Sequence, residues 1–138
     1  MRFIDANVFV YAVLKPRRSL TEKERILKER AKGILSRVDE GERVLTTVVH
    51  LSEVANVLED VAGAAFAARF IQDLLAKENV VVEPVSAGDY LESAVLAEER
   101  GVSVNDALAY LVMVRRGVRE VYTFDRHFER LDVVVVTE

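Results

Sequence analysis

Apolar residues along this chain occur in short continuous runs and in longer stretches with helical spacing. The short runs predict five strands, at Arg2 to Ile4, Arg43 to Thr47, Val80 to Val85, Glu120 to Phe124 and Asp132 to Val136. These runs show little alternation between apolar and polar positions, which is typical of strands covered by helices on both faces. Because helical stretches separate the runs, we expect a mostly parallel α/β sheet.

The longer stretches predict helices whose ends are marked by capping residues and glycines. Thr21 and Ser86 each precede an acid by three residues, which is the form of a capping box. We expect helices over about residues 7–13, 21–38, 48–61, 64–77, 86–100 and 103–116, and a short turn or helix at 127–128. The apolar stripe of the third helix reaches Val61, and the last helix is apolar on nearly all sides through Val114, as a buried helix would be.

The composition limits the chain to one domain and excludes several chemistries. With 138 residues, of which 51% are hydrophobic, we expect residues 1–138 to form a single compact domain. No apolar stretch approaches the ~20 residues of a membrane span, and the start does not read as a secretory signal, so we expect a cytoplasmic protein without a membrane anchor. Cysteine is absent, which excludes disulfides, thiolate metal sites and a cysteine nucleophile.

Charge is unevenly distributed along the chain, whose formal net charge is −4. From Lys15 to Lys32 there are eight basic residues against three acids, a local excess of five positive charges. This segment predicts a face that could meet a polyanion, although a solvated helix surface explains it equally well.

Four carboxylates end or interrupt apolar segments, whereas most other acids lie in polar stretches. Asp5 and Asp125 end predicted strands, Glu53 follows the second strand by about one turn of helix, and Asp106 begins the most apolar helix. In a parallel α/β sheet these positions meet beyond the carboxyl ends of the strands, so all four side chains can point into one crevice. Each acid alone also has a structural explanation as a cap, turn or surface residue.

Four carboxylates in one crevice repel one another unless positive charge is bound. Two divalent cations would balance them, and oxygen ligands without cysteine or paired histidine select Mg²⁺ or Mn²⁺. The chemistry that matches such a site is hydrolysis of a phosphodiester bond, in which the cations activate water and stabilise the departing oxygen.

The segments around these acids resemble the PIN-domain nucleases, in particular the toxins of VapBC-type toxin–antitoxin pairs. The resemblance is carried by residues 3–7 (FIDAN), 51–55 (LSEVA), 105–108 (NDAL) and 121–128 (VYTFDRHF), and it spans essentially the whole chain. It implies a five-stranded parallel sheet of order 3-2-1-4-5, flanked by helices on both faces. It also implies an endoribonuclease that uses Mg²⁺ or Mn²⁺ to cleave single-stranded RNA. Its catalytic and metal-binding residues would be Asp5, Glu53, Asp106 and Asp125.

The resemblance further implies supporting residues and partners. Asn7 and Thr123 match polar positions that support the site in such proteins. Toxins of this kind are usually dimers held in check by a small antitoxin, so we expect a homodimer and a VapB-like antitoxin partner. Arg17, Arg18 and Arg25 match no family motif, and their contact with RNA is inferred from charge alone.

Other interpretations of the same residues stay open. A PIN-domain nuclease of RNA processing without an antitoxin, or a non-catalytic PIN-fold binding module, would carry the same motifs. A phosphotransfer domain with Asp5 as nucleophile is disfavoured, because Asn7 stands where a second aspartate is commonly needed. His50 and Glu53 have the spacing of half a helical metal site, but His50 is better explained as a polar edge residue. His127 could position phosphate or water, or cap a turn.

Overall fold

The computed structural model describes residues 1–15 and 18–138. Within these residues the chain forms a five-stranded sheet, six α-helices and one 3-10 helix. In chain order the elements are β1 (Arg2–Ile4), α1 (Ala6–Val13), α2 (Glu22–Asp39), β2 (Val44–Thr47), α3 (Val48–Ala62), α4 (Ala64–Ala76), β3 (Val80–Glu83), α5 (Ala87–Arg100), α6 (Val104–Arg116), β4 (Glu120–Tyr122), the 3-10 helix (Arg126–Arg130) and β5 (Val134–Val136). A helical segment therefore separates each pair of consecutive strands.

The five strands are parallel and lie in the order β3-β2-β1-β4-β5, which confirms the expected fold. Phe3 of β1 pairs with Leu45 of β2 on one side and with Val121 of β4 on the other. β1 is thus the central strand, and the connections diverge on either side of it. Such a switch point opens a crevice at the carboxyl edge of the sheet. Asp5 follows β1 at this edge, and Asp125 follows β4.

Two apolar cores lie on opposite faces of the sheet and meet at β1. Phe3 belongs to the core beneath α6, whereas Ile4 belongs to the core beneath α1 to α4, and both side chains are fully buried. Because successive strand residues point to opposite faces, one short strand contributes to both cores. The helices pack in pairs, α1 with α2, α3 with α4 and α5 with α6. Helices therefore cover both faces, as the continuous apolar strands predict.

The helix ends follow the predicted signals closely. Thr21 and Ser86 form complete capping boxes at the starts of α2 and α5. Gly101 and Gly117 end α5 and α6 with left-handed φ angles of 66° and 67°. Glycine reaches this region without a steric penalty from Cβ, so it ends a helix readily.

Four strands are shorter than the runs that predict them, and β2, which begins at Val44 rather than Arg43, differs by one residue. β3 and β4 end at Glu83 and Tyr122, two residues before the predicted ends, and β5 begins at Val134, two residues after the predicted start. Val85 and Phe124, which lie beyond the strand ends, still pack against the cores. Apolar runs report burial rather than strand pairing, so they overestimate the length of these strands.

Two helices are more exposed than the sequence predicts. The predicted buried stripe of α3 includes Val61, but this residue is 54% exposed, and Val114 of α6 is 59% exposed. Both lie in the final turn of a helix, where the described chain leaves them open to solvent. Across residues 1–15 and 18–138, none of the helices combines the length and apolar character needed to cross a membrane.

Candidate active site

Asp5 ends β1 and caps α1 with its own side chain. Its Oδ1 accepts a hydrogen bond from the backbone N–H of Ala6, and its Oδ2 accepts one from Thr123 Oγ1, both at 2.8 Å. The residue is only 6% exposed. Burial raises the pKa of Asp5 to about 6 against the opposing effect of these hydrogen bonds, and the negative charges of Glu53 and Asp125 act in the same direction as burial. The carboxylate is therefore held in place in an environment that disfavours its charge.

Thr123 joins the ends of β1 and β4 through one hydroxyl group. It donates its proton to Asp5, and its oxygen accepts the backbone N–H of Asp125 at 3.0 Å and Nδ2 of Asn7 at 3.4 Å. Asn7 Oδ1 in turn accepts the backbone N–H of Phe124 at 3.4 Å. A hydroxyl has one donor and two acceptor positions, so Thr123 uses all of them. Asn7 and Thr123, the predicted supporting residues, thus lie between Asp5 and Asp125.

Asp106 lies in the first turn of α6, where Ser103 caps the helix by accepting the Asp106 N–H at 3.0 Å. Asp106 is 7% exposed, and its Oδ2 atom has no hydrogen-bond partner among the described residues. Burial, followed by the negative charges of Asp5 and Asp125, raises the pKa of Asp106 to about 7. A buried polar atom without a partner is costly, so this position favours a cationic or proton-donating ligand.

Asp125 and His127 lie on the turn that follows β4. Asp125 Oδ1 accepts the backbone N–H of His127 at 2.8 Å and lies 3.2 Å from Nδ1 of the same residue. Potential ligand atoms of Asp106, Asp125 and His127 all lie within 4.8 Å of one another. The His127 side chain is 60% exposed, so the ring lies on the solvent side of the acids. The sequence leaves the role of His127 open, and the structure places it beside the cluster.

Glu53 reaches the same edge of the sheet from α3 and is bound there by Asn105. The Asn105 Nδ2 donates a hydrogen bond to Glu53 Oε1, and Asn105 Oδ1 accepts one from the Tyr90 hydroxyl at 2.5 Å. Glu53 is near enough for its charge to act on Asp5. The structure therefore places the four predicted acids at one edge of the sheet. Asp106 and Asp125 have ligand atoms within 4.8 Å of each other, whereas Asp5 and Glu53 are placed there by the effects of charge, of Asp5 on Asp106 and of Glu53 on Asp5. Sequence reasoning assigned no role to Asn105 or Tyr90, and the place of Asn105 next to Asp106 is the signal that could have found it.

His50 is buried, so the prediction of a polar edge residue is wrong. It is 1% exposed, and its ring packs edge-on against Phe3 with 5.0 Å between ring centroids. His50 Nδ1 lies 2.7 Å from Thr47 Oγ1, and Nε2 lies 3.1 Å from the backbone carbonyl of Asn105. A carbonyl only accepts, so Nε2 carries the proton and Thr47 donates to Nδ1. Both nitrogens are occupied, which also excludes half a metal site, and burial lowers the pKa of His50 to about 4.

The acidic cluster carries negative charge that the described chain does not neutralise. Across residues 1–15 and 18–138, no lysine or arginine forms an ion pair with any of the four acids. The atoms that could coordinate a metal here are carboxylate oxygens and one imidazole nitrogen, and they include the unpartnered Oδ2 of Asp106. Hard divalent cations such as Mg²⁺ and Mn²⁺ prefer oxygen donors. The residues present therefore fit such a cation.

The basic residues predicted to contact RNA lie before and at the start of α2. Arg17 falls outside the described residues. Arg18 forms two hydrogen bonds of 2.8 Å to the carboxylate of Glu24, and Arg25 pairs with Glu22. The side chains of Arg18 and Arg25 are 66% and 64% exposed. Exposed pairs of this kind are weak, so a phosphate can compete for either arginine.

A cleft of about 700 Å³ lies between α2 and the acidic cluster. Thr123 and Asp125 line it on the side of the cluster, and its basic residues are Lys23, Arg30 and Arg126. Two glutamates also line it. The cleft thus connects the acids to the helix whose basic charge stands out in the sequence.

Solved structures of several toxins share this fold. VapC20 from Mycobacterium tuberculosis, described as a sarcin-ricin loop cleaving toxin, has a TM-score of 0.76 and 23% identity, and the match covers 100% of both chains. A toxin–antitoxin complex from Klebsiella pneumoniae has a TM-score of 0.67 and 14% identity, covering 100% of this chain and 98% of the other. VapBC2 from Rickettsia felis, bound to a DNA fragment from its promoter, has a TM-score of 0.64 and 15% identity, covering 98% and 96%. At these identities the likeness is one of fold.

Sequence comparison identifies the family. No curated protein gives a significant match to the chain. The family model of the PIN domain, however, matches residues 2–134, a span that contains all four acids and the whole of the sheet except the end of β5. With the sheet order that the resemblance implies also present, the chain belongs to the PIN domain family.

Proposed function

We propose that this PIN domain, residues 1–138, is a Mg²⁺- or Mn²⁺-dependent endoribonuclease that hydrolyses phosphodiester bonds in single-stranded RNA. The observation that carries the proposal is the meeting of Asp5, Glu53, Asp106 and Asp125 at one edge of the sheet, without a lysine or arginine paired to them in the described chain. Crowded carboxylates do not help a chain to fold, because burial and mutual repulsion both disfavour their charge. A bound cation would stabilise the charged carboxylates, so the arrangement favours metal-dependent chemistry.

The four acids would hold the cation, and other polar groups of the chain would hold the acids. When bound, the cation polarises the scissile phosphate and activates water for attack on phosphorus. Asp5 is oriented for this role by the Ala6 N–H and the Thr123 hydroxyl. Because Thr123 also accepts the N–H of Asp125, the two aspartates keep a spacing set by neighbouring strands rather than by a free loop. Preorganisation of this kind lowers the cost of reaching the transition state.

RNA would reach the acids along the cleft beside α2. The basic residues of the cleft would neutralise phosphates, and Phe124 offers a surface on which a base can stack. Arg17, Arg18 and Arg25 are proposed to extend this contact. Stacking on a side chain requires an unpaired base, which favours a single strand over a duplex.

We further propose that the chain is the toxin of a type II toxin–antitoxin pair, with a VapB-like antitoxin as partner. The support is that VapC20 is described as a toxin and that the Klebsiella structure is a toxin–antitoxin complex. A homodimer is also proposed. Leu91 and Val95 on α5 are 68% and 53% exposed and one helical turn apart, so they offer an apolar surface that a second copy could cover.

The nuclease proposal is tested with labelled single-stranded RNA, with Mg²⁺ or Mn²⁺ and again after chelation. We expect cleavage that requires the metal and is lost in Asp5→Asn and Asp106→Asn. Asp73→Asn, which changes an exposed acid on α4, is the matched control and should cleave normally. Normal cleavage by folded Asp106→Asn would contradict the site assignment. Binding of RNA without cleavage would favour the non-catalytic binding module instead.

The toxin proposal is tested by co-expressing the chain with a small protein encoded by the adjacent reading frame. We expect the two to elute as one complex in size-exclusion chromatography and the complex to cleave RNA more slowly than the free chain. An active nuclease whose neighbouring product neither binds nor inhibits it would favour a role in RNA processing.

A further inference from the structure

The side chain of Asn105 is hydrogen-bonded to Glu53 on one side and to Tyr90, which has no part in the proposed chemistry, on the other. Its Nδ2 donates to Glu53 Oε1, and its Oδ1 accepts the Tyr90 hydroxyl proton at 2.5 Å. A carboxylate only accepts hydrogen bonds, so the amide must turn its nitrogen toward Glu53, and Tyr90 then donates to the amide oxygen. Both ends of the amide are used, which fixes the orientation of the Asn105 side chain.

His50 holds the backbone of the same residue from the interior. Its Nε2 donates to the Asn105 carbonyl at 3.1 Å, and its Nδ1 accepts the Thr47 hydroxyl proton at 2.7 Å. His50 precedes Glu53 by three residues on α3. One turn of α3 therefore carries both the group that anchors Asn105 and the acid that Asn105 binds.

Glu53 needs such a partner more than the aspartates do. Asp5 and Asp106 are 6% and 7% exposed, whereas Glu53 is only half-buried and has a longer side chain. Restricting a glutamate side chain to one geometry costs more rotamer freedom than restricting the shorter aspartate side chain. The hydrogen bond from Asn105 offsets part of this cost before a cation binds.

We propose that Asn105 is a positioning residue that holds Glu53 in the geometry in which it binds a divalent cation, while His50 and Tyr90 hold Asn105. The inference rests on the proposed function, because it takes Glu53 as a metal ligand. Removing a hydrogen-bond partner of a metal ligand typically weakens metal binding by roughly 10- to 100-fold. We therefore expect Asn105→Ala to weaken Mn²⁺ binding about tenfold.

Calorimetric titration of the full chain with Mn²⁺, in the absence of RNA, measures this effect. Tyr90→Phe removes only the outer hydroxyl and should weaken binding less than Asn105→Ala. Asn79→Ala is the matched control, because Asn79 donates to the carbonyls of Val38 and Glu42 at 2.7 and 2.8 Å, just before β3 and away from the acids. It should lower the free energy of unfolding and leave Mn²⁺ affinity unchanged.

A second substitution shows whether Asn105 acts through Glu53. In the Glu53→Ala background, Asn105→Ala should change Mn²⁺ affinity less than about twofold, because no side chain is left to position. Asn105→Gln keeps an amide donor and should recover part of the affinity. At saturating Mn²⁺, RNA cleavage by Asn105→Ala should recover with an unchanged KM for RNA. Urea unfolding of this variant in chelator shows separately whether it is folded without metal, because bound Mn²⁺ would itself stabilise a damaged fold.

Each failure points to a different error. Wild-type Mn²⁺ affinity in Asn105→Ala would overturn the inference and leave the nuclease proposal standing. An equal loss of affinity in the Glu53→Ala background would also overturn it, because Asn105 would then act elsewhere. If Asp106→Asn and the unchanged chain bind Mn²⁺ equally, the proposed metal site itself is wrong. Because this variant leaves Asn105 intact, its result tests the metal site independently of the role of Asn105.

Discussion

Charged groups gather at both edges of the sheet, beside the two ends of β1, but they are paired with one another at only one edge. At the amino edge, Arg2 lies 3.1 Å from Glu120 and 3.9 Å from Glu42, and its guanidinium lies 5.0 Å from the centre of the Tyr122 ring. At the carboxyl edge, Asp5 lies among three further acids, and the described chain pairs no lysine or arginine with them. The same sheet thus ends in a balanced network at one edge and in unbalanced negative charge at the other.

At the amino edge, acids of this chain are paired with basic and hydroxyl groups. The Tyr122 hydroxyl accepts a hydrogen bond from Arg2 at 2.7 Å and donates one to Glu42 at 2.6 Å, so one hydroxyl joins the arginine to the glutamate. Exposed ion pairs of this type contribute about 0–1 kcal/mol each. This contrast supports the proposal that the acids of the carboxyl edge bind an external positive charge.

The largest effect is expected when charge is removed from the carboxyl edge. The pKa of Asp106 is raised from 3.8 to about 7 by burial and by its acidic neighbours, so the folded chain binds this proton more tightly than the unfolded chain. The ionised carboxylate therefore destabilises the metal-free fold above pH 7, and this penalty shrinks as the pH falls toward 4. Asp106→Asn should raise the free energy of unfolding at pH 8 by roughly 2–4 kcal/mol, at about 1.4 kcal/mol per pKa unit, while RNA cleavage is lost.

Urea unfolding of both proteins in chelator at pH 8 and pH 5 measures this difference. Comparing two chains at one pH cancels the titrations that they share. One of these is His50, whose pKa is lowered by burial to about 4 and which therefore costs stability as the pH falls below 6.5. A variant less stable than the unchanged chain at pH 8 would show that the Asp106 carboxylate is already compensated, and the contrast between the two edges would fail.

Adding a divalent cation should turn the carboxyl edge from a destabilising region into a stabilising one. At 100 times its Kd, a cation that binds only the folded chain stabilises it by about 2.7 kcal/mol. Thermal unfolding with and without Mn²⁺ should show this gain for the unchanged chain and much less of it for Asp106→Asn. Glu120→Gln, at the amino edge, should keep the full gain. Equal gains in all three proteins would place the bound metal elsewhere.

A smaller effect, without loss of activity, is expected at the amino edge. Tyr122→Phe keeps the buried ring but leaves Arg2 and Glu42 without the hydroxyl that joins them. The free energy of unfolding should fall by about 1.5–2 kcal/mol, the lower end for a hydrogen bond to charged groups, because the Arg2 and Glu42 side chains are 34% and 28% exposed. Chemical denaturation checks the stability, and calorimetry checks Mn²⁺ affinity, which should not change. Weaker Mn²⁺ binding would mean that the two edges are coupled.

The smallest effect is expected from Arg17, Arg18 and Arg25, the arginines proposed to contact RNA. Neutralising Arg17, Arg18 and Arg25 together to glutamine should weaken RNA binding by about 1 kcal/mol, because two of them are already paired with glutamates. Fewer phosphate contacts also mean a shallower dependence of affinity on salt. Fluorescence anisotropy with labelled RNA at several salt concentrations measures both. An unchanged salt dependence would remove this surface from the proposed contact.

Much of the fold was predictable because its signals are local. Thr21 caps α2 through an acid three residues later, and Gly117 ends α6 with a positive φ, so near neighbours in sequence determine both ends. Strand ends were harder to predict, because Phe124 is apolar for packing reasons and not because it pairs in the sheet. The exposure of Val61 depends on what lies beside the end of α3, which its own sequence does not record.

The acids were visible in the sequence because a charge at the end of an apolar run, as at Asp5 and Asp125, breaks the local pattern. Their partners were not visible. Asn105 binds a glutamate 52 positions away and a tyrosine 15 positions away, and such pairings leave no trace in local periodicity. The burial of His50 is not visible in the sequence for the same reason, because only the fold packs Phe3 against its ring and places the Asn105 carbonyl beside Nε2.

The sharing of β1 between two cores has a consequence for how the molecule opens. Phe3 and Ile4 anchor opposite faces, and the next backbone N–H, that of Asp5, donates to the Tyr122 carbonyl at 3.0 Å. Partial opening of a protein releases segments that have few buried contacts. Residues 3–5, in contrast, are buried on both faces of the sheet. The amide hydrogen of Asp5 should therefore exchange with solvent only when the entire polypeptide unfolds, so the placement of the first aspartate lasts as long as the native state itself.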